Sequence, residues 1–100
     1  MNIEKLKSIK EKYVALSEQI VKPEIIADNK EWTRLVKEHS QIEPVVTAYD
    51  KYVKTESDIE GAKAMLASER DPEMLELAKE EFEEKKAELE NIAEELKILL

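Results

Sequence analysis

The chain has 100 residues, of which 40% are charged and 42% apolar, with one glycine, three prolines and no cysteine. This length suits one helical domain spanning residues 1–100, and the scarcity of turn residues argues against a sheet. The lack of cysteine excludes disulfides and thiolate metal sites. No apolar run approaches the roughly 18–20 residues of a membrane span, so we expect a soluble, cytoplasmic protein without membrane contact.

The first predicted helix covers about residues 2–21. Asn2 is a suitable N-cap, and Pro23 disfavours helical geometry at the preceding Lys22, where the helix must stop. A connector follows, with room for one turn at residues 23–27. The apolar stripe of this helix consists of Ile3, Leu6, Ile9, Tyr13, Leu16 and Ile20.

The second predicted helix covers about residues 29–68, with Asp28 as its N-cap. Pro44 lies inside it, where we expect a kink, with a full break as the alternative. The first stripe has alternating steps of three and four residues and comprises Trp32, Leu35, His39, Ile42, Val46, Tyr49 and Val53. After Val53 the phase shifts to a second stripe of Ile59, Ala62, Met65 and Leu66.

The third predicted helix covers about residues 72–99, after a turn at residues 68–72 in which Asp71 can act as N-cap. Its stripe comprises Leu75, Ala78, Phe82, Leu89, Ile92, Leu96 and Leu99, with Lys85 as the charged member. Because a short turn makes two long helices antiparallel neighbours, paired residue numbers should sum to about 140. Lys85 then faces Thr55 and Glu56, and we predict an ion pair with Glu56; the alternative is that both side chains reach water separately.

The predicted fold class is all-α. The long helices at about 29–68 and 72–99 form an antiparallel hairpin, and the shorter helix at about 2–21 completes a three-helix bundle at one end. The third helix reaches back only to about Ile42, so the first helix is left to cover Trp32 and Leu35. This arrangement places His39 near Tyr13.

The formal charge of −8 is uneven, since residues 72–100 hold ten acidic and four basic side chains. A strongly acidic helix repels phosphate, so we expect no direct nucleic-acid binding, and a partner that binds by charge should be basic. The alternative is a merely solubilising face.

No residue pattern here indicates catalysis, so we predict no catalytic, cofactor-binding or metal site. His39 is the only histidine and lies on a packing stripe, no histidine follows a glutamate at the spacing of a helical di-metal site, and Gly61 alone cannot build a phosphate loop. The glutamates at positions 80, 81, 83 and 84 lie on the solvent side of a helix, where they are solvated charges.

Three stretches carry a resemblance to a known family. They are residues 1–16, with Met1-Asn2-Ile3 followed by Leu6, Ile9, Tyr13 and Leu16; residues 37–46, Lys-Glu-His-Ser-Gln-Ile-Glu-Pro-Val-Val, followed by Tyr49 and Tyr52; and residues 71–81, with Asp-Pro-Glu-Met and Leu-Ala-Lys-Glu-Glu. The end, Leu-Lys-Ile-Leu-Leu, is also similar. The chain resembles the N-terminal helical domain of bacterial peptide chain release factor 1, a class I release factor, as a fragment of a longer factor.

The resemblance implies a role in stop-codon-dependent translation termination, with the ribosome as partner. It places this domain near the stalk base of the large subunit and links it to the GTPase release factor. The family's Gly-Gly-Gln motif cannot be present with one glycine, and no Pro-x-Thr tripeptide follows Pro23, Pro44 or Pro72. We therefore expect a non-catalytic interaction domain whose protein-contact tip is Ser68, Glu69, Arg70 and Asp71.

Two other interpretations stay open at this point. One is an unrelated helical adaptor, such as a spectrin-like repeat or coiled-coil module, and the other is an enzyme fragment that needs a metal. Reading the coding sequence downstream of Leu100 would separate the release factor from the adaptor, and zinc calorimetry would test the metal enzyme.

Overall fold

The computed structural model describes every residue from Met1 to Leu100, and all of its regular elements are helices. They are α1 (Ile3–Gln19), α2 (Pro23–Ala27), α3 (Asn29–Ser68) and α4 (Pro72–Leu99). The predicted all-α fold class is confirmed, and α2 is the single turn expected in the connector. None of the four helices has the length and apolar content needed to cross a membrane.

Polar side chains begin the three longer helices, as predicted. Asn2, Asp28 and Asp71 each accept a backbone N–H from the first turn that follows, at 3.0, 3.2 and 3.0 Å respectively. Such caps satisfy backbone donors that have no partner within the helix, and each stabilises its helix by about 1 kcal/mol. The capping residues explain why the first residues of these helices could be predicted from the sequence.

Pro44 lies within α3, and the helix continues through it without a break. Proline cannot donate to the carbonyl of Ser40, one turn earlier. Both residues are exposed, so water can satisfy that carbonyl. The loss of one backbone bond is therefore tolerated on the outer face of the helix.

The chain divides into two compact units, each described by itself. The N-terminal unit comprises Met1–Thr47 with Leu99–Leu100, and the C-terminal unit comprises Ala48–Ile98. α3 therefore contributes residues to both. In the N-terminal unit the most buried apolar side chains are Leu6, Leu16, Leu35, Val45 and Val46.

In the C-terminal unit, the second part of α3 lies antiparallel to α4. Its buried side chains are Ala48, Tyr49, Thr55, Ile59, Ala62, Ala78, Ile92 and Leu96. Two predicted stripe positions in this unit are wrong, because Val53 is 46% exposed and Met65 is 37% exposed. In the N-terminal unit the predicted stripe positions Trp32 and Leu99 are also exposed, at 36% and 37%. Thr55 takes the buried position in place of Val53 and is 2% exposed. The change of phase on α3 thus comes one turn earlier than the apolar pattern indicates.

The predicted ion pair between Lys85 and Glu56 is also wrong. The ammonium of Lys85 lies 3.7 Å from Asp58 and 3.3 Å from Glu88, while Glu56 is exposed. A lysine side chain is long enough to reach past the directly opposite residue, so helix register alone did not determine its partner.

Candidate contact surface

The predicted contact tip, residues 68–71, is the turn between α3 and α4, and its own side chains close it. The hydroxyl of Ser68 donates to the carbonyl of Ala64 at 2.9 Å. One carboxylate oxygen of Glu69 accepts the backbone N–H groups of Arg70 and Asp71, at 3.0 and 3.1 Å. These bonds satisfy the backbone where the chain leaves one helix and enters the next.

The same bonds determine which groups of the tip remain available to a partner. Ser68, Arg70 and Asp71 are exposed, and Glu69 is half-buried. The Arg70 guanidinium makes no ion pair, and Asp71 keeps one carboxylate oxygen that does not cap α4. The tip therefore presents one cation and two partly occupied carboxylates on an ordered turn.

An open groove lies next to the tip, between α3 and α4, with a volume of about 290 Å³. Its floor and walls are mostly apolar, and its edge carries Ser57, Asp58 and Glu81. The apolar lining consists of Gly61, Ala62, Met65, Met74, Leu77 and Ala78. Three of these positions, Ala62, Met65 and Ala78, were predicted as members of packing stripes, and the groove was not predicted. The signal that could have predicted the groove is the small size of Gly61, Ala62 and Ala78, whose side chains leave space between the helices.

The outer surface of α4 is acidic. Glu76, Glu80, Glu83 and Glu84 surround Lys79 on one shallow face, which we call the acidic flank. None of these carboxylates forms an ion pair within 4 Å. They are solvated charges, as predicted, and give this face a negative potential.

Charged side chains also join the two helices of the C-terminal unit. The hydrogen bond from Lys54 lowers the pKa of Asp58, and Lys85 adds to this effect. The pKa of Lys85 is raised, chiefly by its bond to Glu88 and then by Asp58. Both shifts favour the charged forms, so this cluster stays ionised around neutral pH.

The N-terminal unit holds the only histidine, and its predicted proximity to Tyr13 is confirmed, whereas its contact with Ser17 was not predicted. The rings of Tyr13 and His39 are stacked, with centroids 4.2 Å apart and 17° between their planes. The hydroxyl of Ser17 lies 2.8 Å from Nε2 of His39 and donates to the carbonyl of Tyr13 at 3.0 Å. Which of the two groups donates in the Ser17–His39 bond depends on the tautomer of His39.

Further bonds surround the stacked pair. The phenol of Tyr13 donates to Glu43 at 3.1 Å, and Lys12 forms an ion pair with Glu38. These bonds all join α1 to α3, so the cluster serves to hold the two helices together. Elsewhere in the chain, no three His, Asp or Glu side chains are grouped to hold a metal ion.

Comparison with known families identifies the chain. Residues 9–100 match the family described as the PCRF domain. The chain belongs to the PCRF domain family. This PCRF domain has no match among solved structures.

Curated relatives agree with the family assignment. The PCRF domain is 43% identical over 98 residues to peptide chain release factor 1 of Clostridium botulinum strain Hall, which covers 98% of the chain and 27% of the relative. It is 43% identical over 98 residues to peptide chain release factor 1 of Caldicellulosiruptor saccharolyticus, covering 98% and 28%. It is 46% identical over 99 residues to the same factor of Alkaliphilus oremlandii, again covering 98% and 28%.

The chain thus spans little more than a quarter of the length of these relatives. The matches favour the release factor family over an unrelated helical adaptor, and the resemblance seen in the sequence is confirmed.

Proposed function

We propose that this chain acts as the helical domain of a peptide chain release factor in translation termination, where it makes contacts with the ribosome. The observation that carries the proposal is identity of 43–46% to peptide chain release factor 1 over nearly the whole chain. The resemblance of its N-terminus to that of the family supports a place at the start of a longer, cytoplasmic factor.

Within that factor the domain has a binding role and no catalytic one. The only glycine, Gly61, lies within α3 and cannot supply the Gly-Gly-Gln motif of the family. Ser17 and His39 form part of the packing between α1 and α3. What the domain offers is an ordered tip and an acidic surface.

The tip, Ser68, Glu69, Arg70 and Asp71, is the proposed protein contact, and its partner is a basic ribosomal protein at the stalk base of the large subunit. The GTPase release factor is a second partner that the family resemblance suggests. The C-terminal unit supports a basic partner through its charge, because it holds sixteen acidic and eight basic residues. The N-terminal unit holds eight of each and is neutral.

Binding of the chain to purified large ribosomal subunits tests the proposal. The double variant Glu69→Gln/Asp71→Asn removes two tip charges while both new side chains keep an oxygen for the backbone bonds. We expect binding to weaken about fivefold, because exposed charge contacts contribute up to about 1 kcal/mol. Added salt should reduce the difference.

A matched control lies in the N-terminal unit. Glu24→Gln/Asp28→Asn also alters a glutamate and a helix-capping aspartate, and both are exposed. This pair should leave subunit binding unchanged. Equal loss in both double variants, or no binding by the unaltered chain, would refute the proposed contact role.

A further inference from the structure

The groove beside the tip exposes three large apolar side chains to solvent. Met65 is 37% exposed, Met74 is 39% exposed and Leu77 is 59% exposed. Contact with water makes such a surface unfavourable, and burial against an apolar partner would relieve it. Two of the three side chains are methionines, whose flexible thioethers adapt to the shape of a partner.

Gly61 keeps the groove open at its α3 side. A Cβ atom added to Gly61 would have no atom within 4 Å, so nothing in the chain itself occupies this space. Glycine in a helix interior is less favourable than alanine, yet α3 has Gly61 at the position that lines the groove. The volume of about 290 Å³ suits a few apolar side chains.

The charge around the groove selects among possible occupants. Glu81 and Asp58 line it, and all of the net charge of the chain falls within the C-terminal unit. A nucleic acid would be repelled. A second copy of this chain would bring a like-charged surface. A positively charged protein segment is attracted.

We propose that the groove binds a basic amphipathic helix of a partner protein, with apolar side chains in the groove and lysines or arginines toward Glu81 and the acidic surface of the C-terminal unit. Helix recognition of this kind uses apolar anchors spaced three or four residues apart. The inference rests on the proposed function and specifies it further: the partner contacts the groove through a helix as well as the charged tip.

Synthetic peptides test the groove without knowledge of the natural partner. The probe is a helical peptide of about 18 residues made of leucine and lysine, with leucines along one face. Two control peptides are used. The first has the composition of the probe with its leucines distributed over all faces of the helix, and the second has the sequence of the probe with glutamate in place of each lysine. By fluorescence anisotropy with the full chain, the probe should bind at least about tenfold more tightly than either control.

A groove-filling variant separates binding from folding. Gly61→Leu adds an apolar side chain to the open space, and leucine also favours the helix more than glycine does. The variant should keep or raise the melting temperature and lose about tenfold in affinity for the probe. Ala67→Leu makes a similar change at an exposed α3 position outside the groove lining and should bind like the unaltered chain.

A charge variant completes the test. Glu81→Gln should weaken binding of the leucine–lysine probe, while Glu90→Gln, exposed on α4 and away from the groove, should not. Equal affinity of Gly61→Leu and the unaltered chain for the probe would overturn the inference. A dimer that Gly61→Leu abolishes would also overturn it, because a second copy would then be the occupant.

Large ribosomal subunits distinguish this inference from the function on which it rests. If Gly61→Leu binds subunits as tightly as the unaltered chain, the groove assignment is wrong and the tip contact stands. If the unaltered chain binds the probe and not the subunits, the groove assignment stands and the proposed function is wrong.

Discussion

The ammonium of Lys85 on α4 lies 3.7 Å from Oδ2 of Asp58 on α3. Asp58 also accepts a hydrogen bond from Lys54, four residues earlier on its own helix. One carboxylate therefore has two cations as neighbours, and one of them comes from the other helix of the C-terminal unit. Such a pair favours one register of the two helices, because a shift by a turn would separate the charges.

Asp58→Asn should lower thermal stability at neutral pH and have less effect in acid. The folded chain lowers the pKa of Asp58, so the carboxylate stabilises the fold above the ordinary aspartate pKa of 3.8. That contribution is lost as the pH falls through 3.8 and then through the lowered pKa, where the carboxyl becomes neutral like asparagine. Melting curves at about pH 7 and about pH 2 measure both effects.

The matched control for Asp58 is Glu90→Gln, which neutralises an exposed carboxylate with no ion pair. It should change the melting temperature little at either pH. A constant deficit for Asp58→Asn from neutral to acid pH would contradict the ion-pair assignment, since it would then arise from shape rather than charge.

Leu96→Ala should destabilise the chain by about 2–5 kcal/mol, because Leu96 is 0% exposed and truncation leaves a cavity. Leu77→Ala makes the same chemical change on the same helix where the side chain is 59% exposed. Its cost should be below about 1 kcal/mol. Urea unfolding followed by circular dichroism measures both, and equal costs would show that the assigned core of the C-terminal unit is wrong.

Pro44→Ala should raise the free energy of unfolding by about 1–3 kcal/mol. Proline inside a helix lacks the backbone N–H and is about 3 kcal/mol less favourable than alanine. Pro23→Ala is the control, because Pro23 lies in the first turn of α2, where no helical donor is lost. If Pro44→Ala and Pro23→Ala change the free energy of unfolding in urea equally, Pro44 does not destabilise α3.

Sequence reasoning succeeded where the signal was local. The capping side chains Asn2, Asp28 and Asp71 determine where helices begin, and Pro23 and Pro72 mark where helices begin again after a turn. The proximity of Tyr13 to His39 was also predicted, because both lie on regular stripes of antiparallel helices.

Prediction from sequence failed where burial depends on side-chain volume or on the exact face of a helix. On α3, Thr55 is buried and the more apolar Val53 is exposed, because Thr55 lies on the side of the helix that packs against its neighbour. The groove arises because Gly61, Ala62 and Ala78 leave space that a pattern of apolar positions treats as filled. The ion-pair partner of Lys85 depends on the conformation of a long, flexible side chain, which helix register does not predict.

Oxidative footprinting of the chain bound to large ribosomal subunits tests the proposed contact surface most directly. Met65 and Met74 lie in the groove beside the tip, Trp32 lies in the N-terminal unit, and all three are readily oxidised and similarly exposed, at 37%, 39% and 36%. Mass spectrometry should find that bound subunits protect both methionines and leave the oxidation of Trp32 unchanged. Protection of Trp32, with both methionines oxidised as in the free chain, would contradict the assignment of the contact to the C-terminal unit.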